Sequence, residues 1–321
     1  MLVLGLQGSP RKNGNSDILL EAFMAAARER GAATETVVVA ERDIQPCKEY
    51  IVCEKKGWCP IKDEMNQVYT LLRRAEVVVA ASPVFFYGVT AQLKALIDRC
   101  QTLWARKYKM RLKDPLYEKR RGVLLGVAAT RGKTLFDGME LTAKYFFDGI
   151  SATYDGCLGY REVEAKGDMA KDPTYLADVS ALAEKLVGGL AQRRRLLFVS
   201  EKDACRSQMA AAFAHSLGGD RLDVGTAGTR PAPAVDKTMQ AVMAEAGIDM
   251  GFITPRSLDD ALDEIRPGQV VSMGSARTET DRIGGEHTHW DLPNPAGESM
   301  TDMRQLRDEI KKRVQQTLSA M

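Results

Sequence analysis

The sequence has no apolar run long enough to cross a membrane, and neither sign of charge dominates. Its 321 residues include 45 Lys and Arg against 43 Asp and Glu, a formal net charge of +2. A chain so close to neutrality has no general electrostatic attraction to nucleic acid or to an anionic membrane. Apolar segments stay well short of about 18 residues, and Met1 leads directly into a strand-like run. We therefore expect a soluble, cytoplasmic protein with neither a nucleic acid nor a membrane as its partner.

Histidine and cysteine are also scarce. The three histidines, His215, His287 and His289, have no metal-like spacing with other ligands, so we interpret them as structural. Six cysteines in a chain of this length do not make the disulfide framework of a small secreted domain. In the cytosol such cysteines are reduced, metal-bound or redox-active.

Apolar strand-like runs alternate with amphipathic helical stretches along the whole chain. This alternation predicts an α/β fold with a parallel sheet covered on both faces. A linker at 188–195, glycine followed by charge, separates a predicted flavodoxin-like doubly wound domain (1–190) from a second, smaller α/β domain (195–321). The predicted strands of the first domain are Leu2–Gln7, Thr34–Ala40, Val77–Ala81, Gly122–Ala129 and Ser151–Leu158. The predicted helices are Asp17–Arg30, Asp63–Arg74, Ala91–Leu103, Leu135–Phe147 and Thr174–Leu190.

The loop Gly8–Ser16 follows the first strand and precedes the first helix. Small hydroxyl and amide side chains beside the free N–H groups of a helix start form a nest for a phosphate group. The loop lacks both the Gly-Lys-Ser/Thr ending of Walker A and the Gly-x-Gly-x-x-Gly pattern. Loops of this composition also simply cap helices, so this loop alone is a weak signal.

A second loop, Ser82–Gly88, follows the third strand and should reach the same carboxyl edge of the sheet. Its residues are apolar and aromatic, which suits a flat ring system, and Gly88 allows a close approach of the backbone. The two loops together, Gly-Ser-Pro-Arg-Lys-Asn-Gly-Asn-Ser and Ser-Pro-Val-Phe-Phe-Tyr-Gly with its following helix, resemble the NADPH-dependent FMN reductase and iron–sulfur flavoprotein family. The resemblance covers about residues 1–187.

This resemblance implies an FMN cofactor, NAD(P)H as co-substrate and a homodimer or homotetramer. It implies that the FMN phosphate is held by Ser9, Arg11, Asn15 and Ser16. It implies that Pro83, Val84, Phe85, Phe86 and Gly88 line the isoalloxazine ring, with Thr130 in a third wall. Because the cofactor carries the chemistry, we name no catalytic side chain. The alternative is a flavodoxin-like domain without a cofactor.

Cys47, Cys53 and Cys59 lie in the connection after the second strand, at the same edge of the sheet. Iron–sulfur flavoproteins carry a compact four-cysteine motif here, whereas this chain spaces three cysteines as Cys-x5-Cys-x5-Cys, with Tyr50 where a second cysteine would fall. Three thiolates hold a 4Fe–4S cluster only with a fourth ligand from elsewhere. An ordinary or redox-active thiol loop is therefore favoured over a cluster, and zinc is a further alternative.

The second domain begins with a strand–loop–helix whose loop reads Ser-x5-Arg-Ser from Ser200 to Ser207. It resembles the anion loop of low-molecular-weight tyrosine phosphatases and arsenate reductases, which reads Cys-x5-Arg-Ser. The resemblance spans about residues 195–320 and includes Gly225–Thr229 and the segment His289–Gly297. It implies an oxyanion site, for phosphate, arsenate or sulfate, formed by Ser200, Cys205, Arg206 and Ser207.

Three departures from that family predict an inactive domain. Ser200 replaces the nucleophilic cysteine, and a serine hydroxyl is almost never ionised at neutral pH. Asn294 stands where the family has the aspartate that protonates the leaving group, and the segment 270–275 lacks the relay cysteines. Glu201 and Asp203 add acidic side chains that repel an anion if they point inward.

The sequence thus predicts an FMN-dependent NAD(P)H oxidoreductase, a flavin or quinone reductase or an electron-transfer flavoprotein, fused to a catalytically inactive oxyanion-binding domain. One alternative is a non-catalytic oxyanion sensor or scaffold. Another is an active arsenate reductase that uses Cys205 with electrons from the flavin, although in the family this side chain points away from the anion.

Overall fold

Two parallel β-sheets organise the chain. The computed structural model describes residues 1–297 and 299–321, which divide into two compact units. The first unit comprises Leu2–Arg111 and Lys119–Ala191; the second comprises Gln192–Met321 together with Leu112–Glu118 and Met1. Within the second unit, Lys113 donates its N–H to the Gly247 carbonyl (2.7 Å) and accepts one from Asp249 (2.9 Å).

The first unit contains a five-stranded parallel sheet in the order β2-β1-β3-β4-β5. Its strands are β1 (Leu2–Gln7), β2 (Ala33–Val38), β3 (Val77–Pro83), β4 (Arg121–Val127) and β5 (Thr153–Tyr160). This order is that of flavodoxin-like sheets, so the predicted fold class is confirmed. The inner strands are buried on both faces, which explains why they read as continuous apolar runs rather than as alternating ones.

Seven helices are described in this unit: α1 (Asn15–Glu29), α2 (Val52–Lys56), α3 (Met65–Arg74), α4 (Ala91–Arg99), α5 (Gln101–Tyr108), α6 (Asp137–Gly149) and α7 (Tyr175–Val187). The helix predicted over Ala91–Leu103 is in fact two helices. The N–H of Cys100 is shared between the carbonyls of Leu96 and Ile97, so the last turn of α4 tightens before α5 begins.

The second unit contains a four-stranded parallel sheet in the order β7-β6-β8-β9. Its strands are β6 (Arg194–Ser200), β7 (Leu222–Gly228), β8 (Gln269–Met273) and β9 (Glu286–Trp290). Its helices are α8 (Arg206–Gly218), α9 (Lys237–Glu245), α10 (Leu258–Glu264), α11 (Arg277–Thr280) and α12 (Met300–Ser319). Helices α8 and α12 pack together over one face of the sheet, around Phe198, Met209 and Ile310.

In the part of the chain that the structure describes, no helix is both long and apolar enough to cross a bilayer.

Candidate functional site

Three loops of the first unit lie side by side at the carboxyl edge of its sheet. They follow β1, β3 and β4, which are direct neighbours with Gln7 opposite Ala81 and Pro83 opposite Val127. Two hydrogen bonds tie the first loop to β3 and its loop: Gly8 N–H donates to the Ala81 carbonyl (2.8 Å), and the Thr90 hydroxyl donates to the Gly8 carbonyl. The parallel sheet thus places beside one another the loops that the sequence predicts to share one ligand.

The first of these loops, Gly8–Ser16, keeps backbone donors available. Helix α1 begins after Gly14, whose N–H donates to the Asp17 carboxylate (3.2 Å), and the Asp17 N–H donates to the Gly14 carbonyl (3.1 Å), so the N–H groups of Asn15 and Ser16 are the donors that remain in the first turn. Ser9 and Ser16 are buried at the base of the loop, while Arg11 projects into solvent. The neighbouring Lys12 is paired with Glu41 at 2.5 Å. The loop therefore offers an anion hydroxyl groups, free N–H groups and one cation, Arg11, that carries no ion pair among the described residues.

The side chain of Asn15 has a different role from the predicted one. Its amide nitrogen donates to the Ala165 carbonyl (2.9 Å), and its oxygen accepts from the N–H groups of Gly167 (3.0 Å) and Met169 (3.2 Å). The side chain thus anchors the segment after β5, and only its backbone N–H is left for a phosphate. Nothing near Asn15 in the sequence signals this contact, because its partners are about 150 residues away.

The second loop presents aromatic side chains to solvent. Phe85 and Gly88 exchange both backbone hydrogen bonds (2.9 Å each), which closes a tight turn. Phe86 and Tyr87, the two residues at the tip of this turn, have φ values of +47° and +63°, and Phe86 is fully exposed. Such left-handed conformations cost free energy for residues other than glycine and cluster at ligand-binding positions. Pro83 and Val84 below the turn are half-buried, and Thr130 is exposed in the loop after β4.

Ser82 and Thr90 are two site residues that the sequence reasoning missed. The Ser82 hydroxyl accepts the N–H of Thr90 (3.2 Å), and the Thr90 hydroxyl caps helix α4 by accepting from Leu93 N–H (3.3 Å). A threonine directly before a predicted helix is the usual signal of an N-cap. These two side chains hold both ends of the aromatic loop.

The cysteine segment after β2 is anchored by a buried ion pair. The guanidinium of Arg99 donates to both carboxylate oxygens of Asp63 (2.6 and 3.1 Å) and to the Gln45 carbonyl (2.9 Å). Burial opposes ionisation of Asp63, but hydrogen bonds from Arg99 and Gln45 outweigh it and leave the Asp63 pKa below its usual value. This pair joins the two ends of the segment to helix α4.

The structure does not assemble the predicted metal ligands Cys47, Cys53 and Cys59. Among the described residues, no three His, Cys, Asp or Glu side chains are grouped closely enough to hold a metal ion. Cys47 is exposed and the other two are half-buried, all three as free thiols. Burial, followed by the neighbouring Cys59 and Cys47, raises the pKa of the Cys53 thiol. As the structure describes them, these three residues are not grouped as the ligands of an iron–sulfur cluster would be.

The anion loop of the second unit, Ser200–Ser207, joins β6 to α8 and is built around Asp203. The carboxylate of Asp203 accepts hydrogen bonds from the Ser207 hydroxyl (2.7 Å), the Thr226 hydroxyl (3.1 Å) and the Arg256 N–H (2.9 Å). The Ser207 hydroxyl also lies 2.9 Å from that of Ser200, which accepts the N–H of Asp203 (3.2 Å). Asp203 therefore stabilises the loop from within the protein, through bonds to residues of the loop and of two other segments.

Asp203 is fully buried and has a left-handed backbone with φ of +47°. Burial raises its pKa from 3.8 to about 7, although each of its hydrogen bonds acts in the opposite direction. In the sequence Asp203 is recognisable only as an acid that repels an anion, whereas in the structure it holds the loop together.

Arg206, the first residue of α8, is the buried cation of this loop. It is 8% exposed, and its Nη1 donates to the carbonyls of Leu292 (3.2 Å) and Pro293 (3.3 Å). No carboxylate among the described residues lies within ion-pair distance of it. The acid of the same loop, Glu201, is paired instead with Arg230 (2.9 Å) and accepts from Ser275 (2.9 Å). A desolvated guanidinium with no carboxylate partner favours the binding of an anion.

Cys205 does not face the anion position. Its thiol lies in the apolar core, 3.6 Å from the sulfur of Met303, and burial raises its pKa to about 12. Of the four residues predicted to bind the anion, Cys205 can therefore contribute only its backbone N–H. The same burial argues against Cys205 as a substitute nucleophile, because the thiolate is the reactive form.

Comparisons with known proteins agree with this geometry. Residues 1–134 match the family description "NADPH-dependent FMN reductase", and residues 195–321 match "Low molecular weight phosphotyrosine protein phosphatase". The chain is 32% identical to an iron-sulfur flavoprotein of Methanosarcina thermophila over 46% of this chain and 72% of the relative. It is also 32% identical to an iron-sulfur flavoprotein of Archaeoglobus fulgidus, over 49% of this chain and 78% of the relative.

The second part of the chain has relatives of its own. It is 35% identical to a putative arsenate reductase of Halobacterium salinarum over 36% of this chain and 85% of the relative. The chain therefore belongs to the iron–sulfur flavoprotein family, within the FMN reductases, through its N-terminal part and to the arsenate reductase-like family through its C-terminal part. The predicted fusion of the two domains is confirmed.

Proposed function

We propose that this protein is an FMN-dependent NAD(P)H oxidoreductase whose C-terminal domain binds an oxyanion and carries out no thiolate chemistry. The observation that carries the first half of this proposal is the meeting of three loops, after β1, β3 and β4, at one edge of the sheet. The first of these loops offers N–H groups and hydroxyls, and the second offers exposed aromatic rings. A flavin mononucleotide has a group that suits each loop, a phosphate dianion for the first and a flat ring system for the second.

The residues present fit FMN. We assign the phosphate to Ser9, Ser16 and Arg11 together with the N–H groups of the loop, and the isoalloxazine ring to Pro83, Val84, Phe85, Phe86 and Gly88, with Thr130 in the third loop. When bound, the flavin supplies the redox chemistry. The protein's own contribution is to bind the phosphate, orient the ring and exclude water from one of its faces.

The reductant, the oligomeric state and the cellular compartment complete the proposal. NAD(P)H is the reductant by family membership, and the protein assembles as a homodimer or homotetramer. Exposed apolar side chains on α6, Leu141 and Tyr145, support self-association because they are costly to leave in water. We place the reaction in the cytoplasm because all six cysteines are free thiols, as in a reducing compartment. No step runs through an iron–sulfur cluster.

The second half of the proposal is carried by Arg206, a buried guanidinium with no carboxylate in ion-pair distance among the described residues. The same site lacks the groups for turnover. Ser200 is a hydroxyl where a thiolate is needed, and Asn294 is an amide where an acid is needed. The oxyanion we propose is phosphate, arsenate or sulfate.

The test of the oxidoreductase is a visible absorption spectrum of protein purified without oxygen, with iron and sulfide assayed on the same sample. We expect flavin bands, release of FMN on denaturation, bleaching by NAD(P)H, and iron far below the flavin content. Colourless protein that does not take up added FMN would overturn the proposal. Stoichiometric iron and sulfide would overturn the statement that the three cysteines hold no cluster.

A further inference from the structure

The anion loop contains a chain of three hydrogen-bonding side chains that ends at a carboxyl group. Ser200, Ser207 and Asp203 follow one another, with oxygen–oxygen distances of 2.9 Å between the two hydroxyls and 2.7 Å from Ser207 to Asp203. Ser200 ends β6 at the position of the family's nucleophile, so its oxygen is the end of the chain next to the anion. The carboxyl group is the buried end of the chain.

The direction of this chain depends on one proton. When Asp203 is ionised it can only accept, so Ser207 donates to it and Ser200 donates to Ser207. Because Ser200 also accepts the N–H of Asp203, its hydroxyl proton is used inside the protein and it turns a lone pair toward the anion position. In this state two features of the loop disfavour anion binding. One is the Ser200 lone pair that points toward the anion, and the other is the buried negative charge of Asp203.

When Asp203 is protonated, the chain reverses. The Oδ1 that Ser207 approaches then carries the proton and donates to Ser207, which donates to Ser200. The Oδ2 continues to accept from Thr226 and Arg256, so no contact is lost. The hydroxyl of Ser200 is released to donate to the anion, and the charge beneath the loop is removed. Both effects favour the anion in the same protonation state.

We propose that Asp203 determines the specificity of this site by making the loop bind a dianionic oxyanion together with one proton. This inference deepens the proposed oxyanion site and rests on it. The burial that raises the Asp203 pKa to about 7 places the exchange of that proton near neutrality. Binding of a dianion stabilises the neutral carboxyl further, so anion and proton bind cooperatively.

The other titratable and charged groups around the loop have partners or positions that keep them out of the chain. Glu201 is paired with Arg230, Arg256 with Glu264, His289 is bonded to Ser272, and Asp236 caps α9. Cys205 lies in the core, Lys202 is exposed, and Arg206 keeps its charge at any pH near neutrality. We therefore assign the pH dependence of anion binding to Asp203.

The experiment titrates the full-length protein with sodium sulfate at constant ionic strength, from about pH 5.5 to about pH 8.5, by calorimetry in two buffers of different ionisation enthalpy. Sulfate remains a dianion across this range, so any pH dependence belongs to the protein. We expect the affinity of the wild type to fall toward about tenfold per pH unit above neutrality, with uptake of about one proton per sulfate bound.

Two matched variants of the loop separate the effect of Asp203 from that of charge in general. In Asp203→Asn the side-chain amide donates to Ser207 at every pH, so we expect tight binding, a flat pH profile and no proton uptake. In Glu201→Gln, which removes a charge from the same loop, we expect the pH profile to keep its slope. A slope unchanged in Asp203→Asn overturns the inference, as does sulfate binding by the wild type above neutrality without proton uptake, a measurement that needs no variant.

Arg206→Met distinguishes failure of the inference from failure of the proposed site. We expect this variant to lose sulfate binding at every pH. Equal binding by Arg206→Met and the wild type, or no binding by the wild type at any pH, overturns the oxyanion site itself.

Discussion

Each unit contains a strand–loop–helix that we propose as an anion site, but the two loops differ in their physical construction. In Gly8–Ser16 the cation, Arg11, is in solvent, and the backbone N–H groups at the start of α1 supply fixed donors. In Ser200–Ser207 the cation, Arg206, is buried, and a buried carboxyl group holds the loop from below. The first loop lies beside the loops that follow β3 and β4, whereas the second is held by contacts of Asp203 and Arg206 with segments elsewhere in its own unit. In each unit, therefore, more than one segment of the chain contributes to the candidate site.

Because the two loops differ in burial, we expect substitutions of their charged residues to have effects of different size. Charges in solvent are screened and contribute little each, whereas a buried charge or proton acts at full strength.

The largest effect should come from Asp203, whose ionisation makes the stability of the second unit depend on pH. Its folded-state pKa, about 7, lies above the usual carboxyl value of 3.8. Its contribution is therefore fully present below the unfolded-state pKa and is lost as the pH rises through about 7, at about 1.4 kcal/mol for each unit of pKa difference. We expect Asp203→Asn to remove this loss, measured as the free energy of unfolding of the second unit in urea across the pH range.

The control for this prediction is Glu201→Gln, which removes a half-exposed acid from the same loop. We expect it to leave the pH profile of the wild type in place. Parallel profiles for Asp203→Asn and the wild type would show that Asp203 titrates as an ordinary carboxyl group.

A smaller effect should follow from a methyl group at Gly8. A Cβ at this position would lie 2.8 Å from Leu93 Cδ2 and 2.9 Å from the Ala81 carbonyl oxygen. The backbone of β3 cannot move aside, so the phosphate loop must shift away from its neighbour. We expect Gly8→Ala to destabilise the first unit by about 1–3 kcal/mol. We also expect FMN to bind at least about tenfold more weakly, a loss of about 1.4 kcal/mol, measured by quenching of flavin fluorescence.

The matched control is Gly189→Ala, because a Cβ there meets nothing within 4 Å. It should bind FMN as the wild type does. Unchanged FMN affinity in Gly8→Ala would mean that the contact between the first two loops does not shape the cofactor site.

The smallest effect should come from Arg11→Ala. An exposed cation near a phosphate contributes about 1 kcal/mol or less, and salt screens it. We expect a several-fold weaker affinity for FMN at low salt that approaches the wild-type value at high salt. Lys12→Ala is the comparison, since its ammonium group is already paired with Glu41 (2.5 Å) and should matter less. Equal, salt-independent effects of the two variants would contradict this assignment.

Much of the fold follows from local patterns. Continuous apolar runs such as Val77–Ala81 predict buried parallel strands, and the observed strands agree to within a few residues. The placement of Gly8–Ser16 and Ser200–Ser207 between a buried strand and a helix also agrees with the expectation, while the binding of an anion by these loops stays a prediction. The division of Ala91–Leu103 into α4 and α5 was not predicted, since it depends on how one N–H is shared at Cys100.

Local patterns also left the roles of individual site residues undetermined. Asn15 is a residue of the type that binds phosphate in such loops, yet its side chain forms hydrogen bonds with the backbone at 165–169. The three cysteines have nearly the spacing of a cluster motif, yet the described structure does not group them. Asp203 reads as an obstacle to an anion, yet it is the residue that holds the loop. In each case the deciding contact comes from a segment that is remote along the chain or from the local backbone conformation.

Local sequence patterns thus predicted the strands, most of the helices and the order of the two domains. These depend on the burial of apolar side chains and on strand–loop–helix signals, which act over short stretches of chain. Which side of a loop each polar group faces became evident only from the folded chain. In the folded chain the Cys205 thiol lies in the core and the Asp203 carboxyl group lies beneath the loop. Arg206 is buried and forms no ion pair with a carboxylate among the described residues. The physical reason is that desolvation and hydrogen-bond direction depend on neighbours that the chain supplies only after it has folded.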